Sequence, residues 1–370
     1  MLKKVEVTNF KNFNEKFTFD LSDTSNFDFN QESIKNGIVN TGVIYGQNGC
    51  GKSNLGLAIF DIVSHLTDRA FIKKKYNNYL NADSHRDKAS FRFTFIFDEI
   101  EIIYEYAKKD YQTLISEKLT IDDTEVIFID REESTKFKVN MQGAEHLQND
   151  VGSSNISIIN YVANNTILKD NLSNKIFNTF RKFIDNMLLV KTLDEIFYIG
   201  YEQNSVQMED DIINRGNLKD LEIFFNSAGI ECKLKAKSIN GENRIFSIFK
   251  NSEILLLDIA SSGTYALEIF YFWYQRLRDD KDISFLFIDE FDAFYHHDLS
   301  QLIVEKLNEI SDTQIILTTH NTSNISNDLL RPDCYFLMDN EKITSLKNRT
   351  DKELRETHNI EKMYRAGSFG

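Results

Sequence analysis

Gly46-Gln47-Asn48-Gly49-Cys50-Gly51-Lys52-Ser53 orders the reading of the whole chain. Before it, Gly42-Val43-Ile44-Tyr45 is a short β-branched run with the pattern of a buried strand; after it, Asn54 to Val63 carries apolar residues at helical spacing. A glycine-rich loop between strand and helix is the setting that a G-x-x-x-x-G-K-[ST] match requires. Glycines let successive backbone N–H groups turn inward around a β-phosphate, and the helix N-terminus adds partial positive charge. Lys52 is placed to reach the β- and γ-phosphates, and the Ser53 hydroxyl to ligate Mg²⁺. This stretch reads as a nucleotide-binding loop.

The composition sets the frame. A chain of 370 residues, 41% hydrophobic and 12% aromatic, has the material for a substantial core, and 30 Phe and 15 Tyr argue against disorder. No run approaches the length of a membrane span, and Met1-Leu2-Lys3-Lys4 leads into a polar alternating pattern rather than a signal peptide. Cys50, Cys232 and Cys334 have no metal-site spacing and fit a reducing, cytoplasmic location. A net charge of −14 disfavours a chain-wide nucleic-acid surface.

Along the chain, Val5, Val7, Phe10, Phe17 and Phe19 suggest two strands around Asn9–Phe13. Phe71–His85 is basic and tyrosine-rich and, with Arg86, reads as a solvated loop face ahead of the alternative, a loop touching phosphates or a partner. Residues 90–140 alternate as an antiparallel meander, and Ser157–Val162 adds an apolar run. From Asn171 to about Leu193 the pattern is helical, with Ile176, Phe177, Phe180, Phe183, Ile184 and Met187 on one face. A helix at Leu218–Phe225 precedes strands around Cys232–Ala236, Arg244–Phe249 and Glu253–Leu257.

Three further stretches carry chemistry. Ala260-Ser261-Ser262-Gly263-Thr264 lies between a strand and a helix running from Tyr265 to about Leu277, and alone it is an N-cap turn. Ile283 to Glu290 is a nearly all-apolar strand ending in two carboxylates, where an α/β sheet places its site. Asp289 is read as holding Mg²⁺ through water and Glu290 as polarising the attacking water. Gln314 to Asn321 repeats the form, a buried strand with His320 at its polar tip, read as a γ-phosphate sensor.

In this order the four stretches resemble the ABC-type ATPase superfamily, particularly the branch of SMC, RecF and OLD-family ATPases. Gly46–Ser53 matches its Walker A motif, Asp289-Glu290 its Walker B pair, His320 its switch histidine, and Asn9–Phe13 the Asn-Phe element that opens such chains. Ala260–Thr264 resembles the ABC signature; Ser262 and Thr264 depart from it, while Ser261 and Gly263 keep its Ser-x-Gly core. Asp292 resembles the D-loop aspartate. Nucleotide contacts are implied for Asn12, Gly46, Asn48, Gly49, Cys50, Gly51, Lys52, Ser53, Asn54, Ser261, Gly263 and Asp292, with Ser53 and Asp289 on the metal and Glu290 and His320 in catalysis. The Q-loop glutamine of the superfamily is not assigned and is sought in residues 140–165.

The implied fold is α/β: an ABC-type ATPase head with a P-loop parallel sheet, an antiparallel β lobe and an inserted helical/β subdomain. Its expected division is an N-terminal ATPase lobe at 1–165, the inserted subdomain at 166–250, and a lobe at 251–370 with signature, Walker B, switch histidine and a C-terminal helix. The closing segment, Asn359–Gly367, resembles the end of ATP-binding subunits of bacterial phage-defence and abortive-infection systems. Residues 321–370 leave no room for the TOPRIM nuclease that OLD-family chains carry after the ATPase. The resemblance therefore implies an ATP-hydrolysing switch that closes head to tail as a homodimer or larger homo-oligomer. Its expected partners are a separately encoded effector, a nuclease, and a phage trigger protein or nucleic acid, with no membrane. The competing reading is a RecF- or SMC-like DNA-binding ATPase of repair or recombination, which a basic stripe near Lys73–Arg86 would favour. A stable ATP-bound scaffold and a transporter ATPase fit less well.

Overall fold

Apolar runs without polar alternation need cover on both faces, and three of them lie side by side in the centre of one sheet. Thr41–Tyr45, Phe285–Asp289 and Gln314–Thr319 are buried at every residue. The computed structural model describes residues 1–69, 71–191, 197–201 and 207–369. In it a seven-stranded sheet runs Phe197–Gly200, Met187–Lys191, Phe285–Asp289, Gln314–Thr319, Thr41–Tyr45, Tyr335–Met338, Ile343–Ser345. Its inner strands are parallel and its two outer strands pair antiparallel.

A second seven-stranded sheet is the expected meander, in the order Lys138–Val139, Thr124–Asp130, Leu114–Ile121, Ile100–Lys108, Ala89–Phe97, Leu2–Thr8, Phe17–Asp20. Period-two alternation puts Phe93, Phe95, Tyr104 and Tyr106 on one buried face. There Phe95 meets Phe180 and Phe183 edge-on, at centroid distances of 5.3 and 5.6 Å. Gln314 ties the two sheets together. Its amide accepts from Leu2 N at 2.9 Å and donates to Leu2 O and Val39 O, both at 2.9 Å.

The helix expected over Asn171–Leu193 is two elements. Helix Leu172–Asp185 is N-capped by Asn171, whose Oδ1 accepts from Asn174 N at 2.9 Å. Met187–Lys191 is a strand of the parallel sheet, and Leu193 lies outside the described residues. Met187-Leu188-Leu189-Val190 is a short apolar run, which periodicity alone cannot divide between strand and helix. The run at Ser157–Val162 is likewise a helix, Ile158–Asn165, with Ser157 as its N-cap. The strand expected to reach Leu257 stops at Leu255, and Leu256–Ile259 is one helical turn.

The described chain forms two compact units, discontinuous in sequence. The first comprises Met1–Tyr201, Ile283–Phe291 and Ser311–Gly370; the second comprises Glu202–Asp282 and Asp292–Ile310. This partition cuts across the three consecutive segments expected from the motifs. Both seven-stranded sheets belong to the first unit. The second holds helices Met208–Asn214, Leu218–Ser227, Ser262–Asp279 and His297–Asn308, with a three-stranded antiparallel sheet over residues 234–255. Among the described residues no helix is long and apolar enough to cross a membrane.

Helix Lys52–Phe60, which leaves the glycine loop, ends at a buried ion pair. Asp61 Oδ2 accepts from Lys108 Nζ at 2.8 Å and from Tyr106 OH at 3.0 Å, and Lys108 also donates to Ser64 Oγ at 2.6 Å. Both charged side chains are fully buried. Burial pushes the Lys108 ammonium below its ordinary value, with Asp61 opposing the shift. Removing one member leaves the other uncompensated. Lys108→Met is expected to cost about 3–5 kcal/mol in urea unfolding, and Asp61→Asn added to it to recover part of that loss.

Candidate nucleotide-binding site

Strand Thr41–Tyr45 delivers the chain into the glycine loop and helix Lys52–Phe60 carries it away. Gly49 and Gly51 have φ of +84° and +104°, a region that side chains strain to enter. Close approach matters as much. A Cβ on Gly46 would lie 2.5 Å from Cys50 Sγ and 2.7 Å from Met338 O, and one on Gly51 2.4 Å from Asn12 Nδ2. On Gly56 it would lie 2.7 Å from the Phe287 ring, so the helix rides directly against the strand that ends in Asp289.

Lys52 is buried, and its ammonium donates to Gly46 O at 2.6 Å and Gln47 O at 3.2 Å, which folds it over the loop. Asn54 Nδ2 donates to Asn12 Oδ1 at 2.7 Å, fastening the Asn9–Phe13 turn to the first turn of the helix. Ser53 Oγ donates to Asp289 Oδ2 at 2.6 Å and Thr318 Oγ1 to Asp289 Oδ1 at 2.7 Å. The same Thr318 hydroxyl accepts from Glu290 N at 2.8 Å, and Thr318 O accepts from Phe291 N at 3.1 Å. Those bonds hold Glu290 at φ +54°, a left-handed conformation that is costly for a glutamate and that turns the chain off the strand. Thr319 pairs with Tyr45, so the exposed His320 stands one residue beyond, level with the start of the glycine loop.

The first unit thus brings together Asn12, residues 46–54, Asp289, Glu290 and His320. Ser261, Gly263 and Asp292 belong to the second unit. There Ser261 N-caps helix Ser262–Asp279, its Oγ accepting from Thr264 N at 3.1 Å, and both Ser261 and Ser262 are exposed. Asp292 is buried. Within residues 140–165 the glutamines are Gln142 and Gln148, both exposed; Gln142 accepts from Asn171 Nδ2 and Asn174 Nδ2. Two residues at the site were not singled out from sequence. Thr318 was legible only as part of a polar strand tip. Lys191 was hidden in the run read as helix; its ammonium lies 3.4 Å from Asp289 Oδ2.

The donors around Ser53 and Asp289 are hard oxygens, the set that suits Mg²⁺ held jointly with phosphate and water. Among the described residues no group of three or more His, Cys, Asp or Glu forms a self-sufficient metal site. In the Phe71–Arg86 segment Tyr76 and Tyr79 are buried in the core, and Arg86 is paired with Glu15.

The glycine loop and the strand ending in Asp-Glu lie on one mostly parallel sheet, with an antiparallel sheet in the same unit. Residues 43–326 match the model of the family described as "AAA domain, putative AbiEii toxin, Type IV TA system", and the chain belongs to that family. Solved structures similar to it include an SMC head bound to the C-terminal winged-helix domain of ScpA, 17% identical over 93% of this chain and 97% of that one, with a TM-score of 0.49. The SMC head domain from Thermotoga maritima is 14% identical over 93% and 98%, with a TM-score of 0.43. The Pyrococcus furiosus Smc head with an extended coiled coil, bound to the C-terminal domain of ScpA, is 14% identical over 94% and 97%, with a TM-score of 0.47. No curated protein matches the chain.

The crowding at Gly46 gives a direct test of the loop. Gly46→Ala forces a methyl onto Met338 O and Cys50 Sγ. It is expected to weaken binding of a fluorescent ATP analogue by at least about tenfold while the far-ultraviolet circular dichroism is kept.

Proposed function

We propose that this chain is the ATP-binding and ATP-hydrolysing switch subunit of a bacterial antiphage defence complex, acting in the cytoplasm on a separately encoded effector such as a nuclease. The observation that carries the ATPase part is the joint anchoring of Asp289 by Ser53 and Thr318 beside the strained Glu290, at the mouth of a glycine loop. Backbone N–H groups of residues 46–53 and the Lys52 ammonium bind the phosphates, with Asn12 and Asn54 bracing the loop. Mg²⁺, when bound at Ser53 and Asp289, neutralises charge on the β- and γ-phosphates. Glu290 accepts a proton from the attacking water, and its fixed backbone aims the carboxylate; His320 contacts the γ-phosphate from the neighbouring strand.

A second copy completes the site. Ser261 and the N–H groups near Gly263 open an exposed helix N-terminus, suited to a γ-phosphate held by the other chain. Leu257, Ile259 and Tyr265 flank it at 39%, 43% and 40% exposure, apolar surface that a second copy would cover. Asp292 lies in the same unit and acts there as the D-loop aspartate. Closure with ATP and reopening after hydrolysis bias any partner that prefers one state. The family's description, which names a toxin and a type IV TA system, supports the defence setting. The DNA-repair reading has the exposed Lys73 and Lys74 in its favour, but Arg86 of that segment is paired with Glu15 and the net charge of the chain is −14.

Glu290→Gln tests the switch. Light scattering with Mg·ATP is expected to show the variant as a long-lived dimer or larger assembly, while turnover falls by about a hundredfold or more. A monomer that hydrolyses ATP at the wild-type rate would sink the mechanism.

A further inference from the structure

The oxygen of Asp289 that faces Ser53 already has a cation beside it. Met187–Lys191 and Phe285–Asp289 are parallel neighbours, and Lys191 is the register partner of Asp289. Register partners on adjacent strands send their side chains to the same face, so the backbone itself sets this lysine against this aspartate. The Lys191 ammonium stands 3.4 Å from Asp289 Oδ2, the oxygen that also accepts from Ser53 Oγ at 2.6 Å. Thr318 holds the other carboxylate oxygen at 2.7 Å, which stops the group rotating out of both contacts. The two side chains are 19% and 3% exposed. At that depth salt screens an ion pair weakly, and a carboxylate stripped of its cation is a costly buried charge.

We propose that Lys191 is an internal counter-ion that competes with Mg²⁺ for Asp289, so that metal loading requires the ammonium to leave the carboxylate. The proposal rests on the reading of Ser53 and Asp289 as the metal-binding pair. A monovalent ammonium and a divalent metal at one oxygen repel each other, so both do not hold it at full strength. With no metal bound, Lys191 keeps Asp289 neutralised and hydrogen-bonded to Ser53, which preserves the site's shape. With Mg·nucleotide bound, the same lysine opposes the metal. The effect is a metal requirement set higher than the oxygen donors alone would give, so that the site fills only when nucleotide and Mg²⁺ arrive together. A lysine with a purely structural role would stabilise both states alike; a competing counter-ion stabilises one and destabilises the other.

Lys191→Met and Lys191→Arg in the full chain separate these cases. A non-hydrolysable fluorescent ATP analogue is titrated across Mg²⁺ concentrations, and thermal unfolding is followed with and without Mg·nucleotide. Lys191→Met is expected to lower the half-saturating Mg²⁺ concentration by about tenfold or more. It is also expected to melt lower than wild type without ligand and to gain more than wild type on ligand addition, whereas Lys191→Arg keeps wild-type behaviour in both assays. An unchanged Mg²⁺ requirement overturns the proposal. So does a raised requirement or lost nucleotide binding in the folded variant, which would assign Lys191 to the phosphates. If Lys191→Met alone does not fold, adding Asp289→Asn is expected to restore folding; failure of the double variant would make Lys191 a packing residue and overturn the proposal. Lys52→Ala in the same assay guards the premise. Retained nucleotide binding there would defeat the site reading itself, while lost binding with an unshifted Lys191→Met would defeat only the counter-ion.

Discussion

Ser53 and Asp289 are 236 residues apart in the chain and 2.6 Å apart in space, and much of the first unit is arranged to keep them so. For the hydroxyl to reach the carboxylate, strands Thr41–Tyr45, Gln314–Thr319 and Phe285–Asp289 must lie parallel and in register. The helix that begins at Lys52 must also press against the Phe285–Asp289 strand, which it does where Gly56 meets Phe287 without a side chain. Thr318 then fixes the second oxygen of Asp289 from the strand between, and its other contacts turn Glu290 into the left-handed region. One hydroxyl–carboxylate bond thus reports on loop, helix and sheet together.

The same helix is anchored at its far end by a largely buried polar cluster. Asp61 takes Lys108 and Tyr106 from the antiparallel sheet. One turn on, Tyr104 OH donates to Glu117 at 2.9 Å and so accepts from His65 Nε2 at 2.8 Å, while Ser157 and Ile158 N close on the same carboxylate. Burial drives His65 well below its ordinary value, which keeps it neutral as the donor of this chain. Buried networks of this kind are unforgiving when a member is removed, and this one ties the segment after the helix to the antiparallel sheet.

How much of this was legible in the sequence depends on whether a residue's role is local. Gly46–Ser53 stands out because its glycines are spaced for a tight loop between a strand and a helix, which is where the structure has one. Phe285–Asp289 and Gln314–Thr319 do so because strands buried on both faces cannot alternate. The meander from Ala89 to Asp130 reads out of period two for the converse reason. Met187–Lys191 did not read correctly, since four apolar residues following an amphipathic helix extend its pattern smoothly, and with that strand went Lys191. Its meaning lies wholly in strand order, which places it next to Asp289. Thr318 is similar: a threonine in a buried strand has no local mark, and its two-sided bonding to Asp289 and Glu290 exists only in the assembled sheet. The partition into units escaped for a topological reason, because Ile283–Phe291 and Ser311–Gly370 return to the unit begun by the first 201 residues.

The central proposal is that one nucleotide is shared between the phosphate loop of one copy and the Ser261 helix N-terminus of another. Mixing two crippled chains tests it most directly. Lys52→Ala removes the loop's lysine, and Ser261→Arg blocks the helix N-terminus; each variant alone is expected to be inactive. In an equimolar mixture, half of the dimers pair the intact loop of one chain with the intact helix of the other, so ATP turnover should return to about a quarter of the wild-type rate. A mixture that stays as inactive as its parts, although the chains exchange, or a Ser261→Arg chain that hydrolyses ATP at full rate by itself, would contradict the shared site.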